Sequence, residues 1–280
     1  MIKKELNRSK NASIDDIYKL PFMMMLIGIC TAILQQRMAQ LDRITKDEKC
    51  LLDFYTLVKS IMNSLDQIRM SLIMAKRYDR KYLLKNDINE EQYTTYYFDS
   101  IVHKISTRKE LEFKLIYKLY GLPIKNGKYS WNTISDHKEE INNDKLFAYY
   151  DNKLHFEFTS YFVNKRHFSS HEGKLSMRHF KDVSELLFIR DISNNPLYEE
   201  IPFADYANSW FVSHQIQNSR KEAIEYLENI YQSCINLRFM FFECLGYDLS
   251  NLFTSEIKER YKKNISDVLD TIVSDNDKTN

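Results

Sequence analysis

The stretch SRKEAIEYLENIYQSCINLRFMFFECLG, from Ser219 to Gly246, decides the fold class. Its apolar residues Ala223, Tyr226, Leu227, Ile230, Tyr231, Cys234, Leu237, Phe241 and Cys244 recur three and four positions apart, the spacing of one face of an α-helix. Ser219-Arg220-Lys221-Glu222 has the Ser-x-x-Glu form in which the serine hydroxyl and the glutamate carboxylate satisfy each other's free backbone N–H groups, which predicts the helix start. Gly246 is suited to the left-handed position beyond a last turn and predicts its end.

The same pattern spreads outward in both directions. Thr45-Lys46-Asp47-Glu48 predicts a second start, followed by Leu51, Leu52, Tyr55, Val58, Ile61, Met62, Leu65, Ile68 and Met70 on a face that runs towards Tyr78. Thr107-Arg108-Lys109-Glu110 predicts a third, with Leu111, Phe113, Leu115, Ile116 and Leu119 leading to Gly121 and a helical stretch over Glu90 to Ile105 before it. Leu154, Phe158, Tyr161 and Phe162 predict a helix that runs out near Gly173, although the alternation Leu154, Phe156, Phe158 also suits a strand. Shorter helices are expected over Ser184 to Arg190 and Ser255 to Val273, with loops over Gly121 to Thr133 and Asn194 to Pro202.

Composition agrees with helix. The 280 residues hold 5 Gly and 4 Pro, where average usage gives roughly 34 of the two together. Turn-rich β architectures are disfavoured on that ground, and 44% hydrophobic with 28% charged residues excludes disordered and collagen-like chains. With no internal repeat, the expectation is one all-α domain over residues 1–280, an antiparallel bundle with additional N- and C-terminal helices, a polar segment at 1–19 and a frayed tail at 274–280.

The apolar run LPFMMMLIGICTAIL, Leu20 to Leu34, is 15 residues long, short of the about 20 that cross a bilayer. Asp15 and Asp16 precede it, and Gln35, Gln36 and Arg37 stand where a signal peptide has small cleavage-site residues. It is expected to be a buried bundle helix, with no membrane partner. Cys30, Cys50, Cys234 and Cys244 form no Cys-x-x-Cys pair and sit in apolar helical patterns, which predicts reduced, buried thiols and a cytoplasmic location.

Lys plus Arg at 40 against Asp plus Glu at 39 leaves a net charge of +1, so a uniformly basic nucleic-acid binder is excluded and any basic footprint is local. It lies in NKRHFSSHEGKLSMRHFK, Asn164 to Lys181, where Lys165, Arg166, Lys174, Arg178 and Lys181 face the single acid Glu172. His167, His171 and His179 fall in the same segment, three of the chain's seven histidines. Positive charge beside imidazoles that titrate near neutrality suits a site that holds a phosphodiester and moves protons.

Arg166-His167-Phe168-Ser169-Ser170-His171 has the form Arg, four to six residues, His, and in this and in its helical layout the chain resembles the HEPN superfamily of helical-bundle proteins, many of them ribonucleases. Family members most often carry Asn directly after the Arg, where this chain has His167. The resemblance implies a HEPN-like bundle and a metal-independent endoribonuclease that cleaves single-stranded RNA by 2′-hydroxyl attack, with no cofactor. It further implies His171 as general base or acid and Arg166 as the group that stabilises phosphoryl charge. Asn164, Lys165, His167, Glu172, Lys174 and Arg178 are supporting or RNA-binding candidates. Because HEPN nucleases commonly pair two motifs and this chain has one, a homodimer is expected, with a role in phage defence or as a toxin under an antitoxin or regulatory partner. On an unbroken helix positions i and i+5 point about 140° apart, so Arg166 and His171 converge only if the chain loosens around Ser169, Ser170 and Gly173.

Two other readings stay open. His167 and His171 are four apart and share a face if the helix continues, which would make a metal site with Glu172 or His179, although the second Glu-x-x-His element of di-iron bundles is missing. The bundle could equally bind RNA or protein without cutting, its 19 Tyr and 17 Phe offering stacking surfaces where they are not core. No Gly-rich phosphate loop, Gly-x-Ser-x-Gly elbow or His-Glu-x-x-His pair is present, and His103, His137, His155 and His214 are isolated and assigned to structure.

Overall fold

Apolar stripes at helical spacing and few helix breakers give helices throughout. The computed structural model describes residues 12–37, 44–86, 88–124, 127–172, 175–193, 209–262 and 266. Among them are the α-helices α1 (Ile14–Tyr18), α2 (Pro21–Arg37), α3 (Lys46–Lys76), α4 (Arg80–Leu84), α5 (Glu90–Tyr120) and α6 (Trp131–Asp136). They continue with α7 (Lys138–Ile141), α8 (Asp144–Tyr150), α9 (Lys153–Glu172), α10 (Ser184–Ser193), α11 (Trp210–Ser250) and α12 (Ser255–Arg260). A 3₁₀ helix, Arg178–Val183, precedes α10, and no strand occurs among the described residues.

The chain divides into two compact units. Unit 1 comprises Met1–Asn63, Arg108–Glu157 and Cys234–Asn280; unit 2 comprises Ser64–Thr107 and Phe158–Ser233. The divisions fall inside α3, α5, α9 and α11, so each of these helices contributes a stretch to both units.

Unit 1 contains α2, whose Phe22, Met23, Leu26, Ile29, Cys30 and Ile33 are buried among protein side chains. No helix among the described residues is long and apolar enough to cross a membrane. The Phe22 ring lies 5.8 Å from that of Phe242 on α11, and Trp131, Tyr150 and Phe113 form a second aromatic group with centroids 4.5 to 6.3 Å apart. The start at Thr45 forms as the sequence predicts. The Glu48 backbone donates to the Thr45 hydroxyl at 3.3 Å, and the Thr45 backbone to Glu48 Oε2 at 2.9 Å. Fully buried, the Glu48 carboxylate also accepts from the Tyr261 hydroxyl at 2.5 Å and from Arg260 Nη1 at 3.0 Å.

Unit 2 packs Leu65, Ile68, Leu72, Phe98, Ile101, Val102, Phe162, Ile216, Ala223 and Leu227 as its core. The Glu90 carboxylate, buried at the first residue of α5, accepts both terminal nitrogens of buried Arg190 on α10, one of them at 3.1 Å.

Several sequence expectations are corrected. Thr107 lies inside α5, its hydroxyl donating back to the His103 carbonyl at 3.0 Å, because the stretch over Glu90 to Ile105 is continuous with the next. α11 begins at Trp210 instead of Ser219 and passes Gly246 to end at Ser250; Gly246 is helical, and a Cβ there would meet the Phe22 ring at an ordinary 3.4 Å. By contrast Gly121 does terminate α5, with φ of 64° and the Leu122 N–H donating to the Tyr117 carbonyl at 3.0 Å. Met70 is 58% exposed, two residues and therefore about 200° from Ile68 on the helix, and Cys50 is exposed where a buried thiol was expected. The helical alternative holds for Leu154 to Phe158, and α9 runs unbroken through Glu172, so the loosening expected at Ser169 and Ser170 is absent. The loop at Asn194 to Pro202, Gly173, the polar residues 1–11, the tail at 274–280 and most of the expected last helix beyond Lys262 lie outside the described residues.

Candidate nucleic-acid interface

The basic segment enters unit 2 on α9 and continues through the 3₁₀ helix. In Met177-Arg178-His179-Phe180-Lys181-Asp182-Val183, the apolar residues recur every three positions, which matches the three residues per turn of a 3₁₀ helix. Met177, Phe180 and Val183 are accordingly buried while Arg178 and Lys181 are exposed, with half-buried His179 between them.

Met177, Arg178, His179 and Lys181 line a cleft of about 720 Å³ together with Tyr161 and Lys165 of α9 and Tyr226 of α11. Lys165, Arg178 and Lys181 bring three positive charges to it, and Glu91 one negative. Lys165 Nζ lies 5.7 Å from the centre of the Tyr161 ring, which is 44% exposed, and the His179 ring packs 5.1 Å from that of Tyr226. Burial, and then the Tyr161 hydroxyl beside it, hold the Tyr226 phenol above its ordinary pKa, so it stays protonated. His179 Nδ1 is buried without a hydrogen-bond partner. A second opening of about 780 Å³ shares Arg178, His179 and Lys181 and extends along α11 past Gln215 and Asn218. Cations that track a groove beside exposed rings are the elements that hold a single-stranded backbone and stack its bases.

Of the candidates read from the sequence, Lys165 and Arg178 reach this cleft. Asn164 and His167 are exposed on another side of α9, where position 171 also falls, and Arg166 is half-buried outside the cleft lining. Because α9 is unbroken, positions 166 and 171 point about 140° apart and are not brought together within one chain. Ser169 stabilises this continuity, its hydroxyl donating to Asp99 on α5 at 2.6 Å, with His103 Nε2 3.7 Å from the same carboxylate oxygen. The backbones of His171 and Glu172 form the last turn of α9, and their side chains, like Lys174 as a whole, lie outside the described residues. The unbroken helix also sets positions 167 and 171 one turn apart, the register that a metal site on this helix needs. No group of three His, Cys, Asp or Glu side chains able to hold a metal ion occurs among the described residues.

The basic segment already holds His179 and Lys181, without assigning them to RNA binding, whereas Tyr161 and Tyr226, read as helical core, are the cleft residues that the sequence reading missed. The three-residue period at 177–183 was the available signal for how His179 and Lys181 are presented.

Sequence reading also missed the polar cluster inside unit 1, where Arg108, Glu112, Arg238 and His155 are at most 4% exposed. Arg108 Nε stands 3.2 Å and Arg238 Nη1 3.6 Å from Glu112 Oε1, and the Tyr150 hydroxyl donates to Glu112 Oε2 at 3.4 Å. Arg108 Nη2 is 3.4 Å from His155 Nε2. Burial, reinforced by Arg108 and Lys109, pushes the His155 imidazole down to about 3, so it is neutral. Burial likewise lowers Arg238 to about 10, whereas at Arg108 burial is outweighed by Glu112 together with Tyr149, Cys234 and Tyr150, which hold it above its ordinary value. A cluster this deeply buried reaches no polymeric substrate; it organises the core.

No protein-family model, curated protein or solved structure matches the chain.

Proposed function

We propose that the chain binds single-stranded RNA in the basic cleft of unit 2 and cleaves it as a metal-independent endoribonuclease of HEPN type. The observation that supports this most is the convergence of Lys165, Arg178 and Lys181 with the exposed Tyr161 ring and an imidazole, His179, in one groove. In the reaction an imidazole takes the proton of a ribose 2′-hydroxyl, whose oxygen attacks the adjacent phosphorus. The P–O5′ bond breaks, the 5′-oxygen is protonated, and a 2′,3′-cyclic phosphate and a 5′-hydroxyl result. Arg166 and His171 are the pair that the HEPN resemblance nominates. Their separation around α9 fits a site completed by a second copy of the chain, hence a homodimer. The HEPN-like arrangement of the bundle, the role in phage defence or as a toxin, the antitoxin or regulatory partner and the cytoplasmic setting rest on the same resemblance.

RNA cleavage and binding by wild type, His171→Ala and His179→Ala, with EDTA present, test the reading. Cleavage in EDTA that one histidine variant abolishes supports a proton-transfer role for that residue. Three phosphate contacts in the cleft give a slope of log K against log salt of about −2, and Lys165→Gln or Arg178→Gln flattens it by about 0.7. Binding without cleavage by any protein leaves the non-catalytic RNA-binding bundle, and no binding at low salt refutes both.

A further inference from the structure

A separate pocket of about 420 Å³ lies within unit 2 on the opposite face of α11. Gln217, Arg220 and Lys221 line it, whereas the openings described above take Gln215, Asn218 and Ser219, roughly half a turn around the same helix. Lys76 at the end of α3, Tyr78 and Arg80 complete the wall, with Glu90 at its back.

The local charges do not cancel. Lys76 is answered by Glu228, and Lys221 by Glu225 at 4.0 Å in an exposed pair. Glu90, however, is occupied by Arg190 from behind. Arg80 Nε approaches Glu90 only to 3.8 Å, and its Nη2 donates to the Ser213 hydroxyl at 3.1 Å. Arg220 forms no ion pair among the described residues. Its Nη2 donates to the carbonyls of Ala75 and Lys76 at 2.7 and 3.1 Å, its guanidinium lies 5.3 Å over the Tyr78 ring, and its Nε is buried without a hydrogen-bond partner. Three guanidiniums therefore share Glu90 and the more distant Asp191, 3.9 Å from Arg190. A guanidinium held by carbonyls and stacked on a ring is preorganised for an anion. The volume lies in the range of small-ligand sites, about 300 to 1,000 Å³. Three guanidiniums against two carboxylates leave one positive charge in excess, which favours an anion such as a phosphomonoester, with about −1.5 to −2 charges at neutral pH.

We propose that this pocket binds a small organic phosphomonoester of mononucleotide size, with Arg80 and Arg220 on the phosphate and Gln217 and Tyr78 against the remainder. It acts independently of RNA binding in the cleft.

Calorimetric titration of the full chain with adenosine 5′-monophosphate, ribose 5-phosphate, adenosine and inorganic phosphate tests this. Adenosine 5′-monophosphate and ribose 5-phosphate are expected to bind, and adenosine and inorganic phosphate at least about tenfold more weakly. Arg80→Gln, at a side chain 43% exposed, is expected to keep the melting profile and weaken the monophosphate about tenfold, with RNA affinity unchanged. Lys221→Gln provides a second, exposed variant that lowers the same affinity. Absence of monophosphate binding, equal binding of adenosine, equal binding of inorganic phosphate, or indifference to Arg80→Gln each overturns the proposal. Displacement of the monophosphate by single-stranded RNA overturns it too, by making the pocket part of the RNA track.

Discussion

Glu112→Gln removes the carboxylate that two fully buried guanidiniums share while conserving shape and volume. In the native chain Glu112 Oε1 lies 3.2 Å from Arg108 and 3.6 Å from Arg238, and all three side chains are inaccessible to solvent. Water cannot replace the lost charge without opening the core. Removing one partner of a buried ion pair costs about 3 to 5 kcal/mol, because the remaining charge stays desolvated. Here two cations lose their partner together, so the expected cost is at the upper end, about 4 to 5 kcal/mol, or a fall in Tm of roughly 10 °C or more for a chain of this size. Arg238→Leu gives the comparison. It leaves Arg108 and Glu112 as a balanced pair at the shorter distance and is expected to cost about 1 to 2 kcal/mol. Urea titration followed by far-UV circular dichroism reads both variants, with an unchanged slope reporting unchanged compactness. A cost below about 1 kcal/mol for Glu112→Gln, or a larger cost for Arg238→Leu, would refute the view that Glu112 is the charge around which this core is organised.

Acid should act through His155. Its imidazole is held down to about 3 against an ordinary 6.5, so over that interval the unfolded chain binds a proton that the folded chain does not. Stability therefore falls as pH drops below 6.5, by about 2 kcal/mol near pH 5 from this group alone. His155→Asn should show a shallower decline than wild type in melts across that interval; parallel declines would contradict the assignment. The two glycines at helix ends and contacts give opposite signs. Gly121→Ala, forced to φ of 64°, should lose about 1 kcal/mol. Gly246→Ala, inside α11 and meeting Phe22 at an ordinary 3.4 Å, should gain about 0.5 to 1 kcal/mol, as equilibrium unfolding would report.

Helix content was legible because periodicity survives without knowledge of partners. Leu51 to Ile68 and Ala223 to Phe241 mark their faces wherever those faces pack. Boundaries were less legible, since a capping sequence is only a capacity. Thr45 and Glu48 use it, whereas Thr107 and Ser219 lie inside helices because the residues before them are already helical. Gly246 was misread for a related reason: a glycine can close a helix in the left-handed conformation or sit within it, and here α11 simply continues to Ser250. At the site, charge clustering located Lys165, Arg178 and Lys181, but a search for helical period passed over the three-residue period that presents Arg178 and Lys181 with His179 between them. Arg108, Glu112, Arg238 and His155 were invisible as a group because their partnership spans 130 residues of chain and no local pattern records it.

The division of the chain fixes an order of completion during synthesis. All of unit 2 has been made once Ser233 is added, whereas unit 1 still lacks its third segment, Cys234–Asn280. At ribosomal rates of about 5 to 20 residues per second, that segment takes several seconds more. Arg108 and Glu112 wait about a second or less for Arg238, and Glu48 waits longer for Arg260 and Tyr261. A nascent chain therefore holds every residue of the cleft-bearing unit before the other unit's core has all of its partners, and that interval is when the half-made core is most open to a chaperone or a protease.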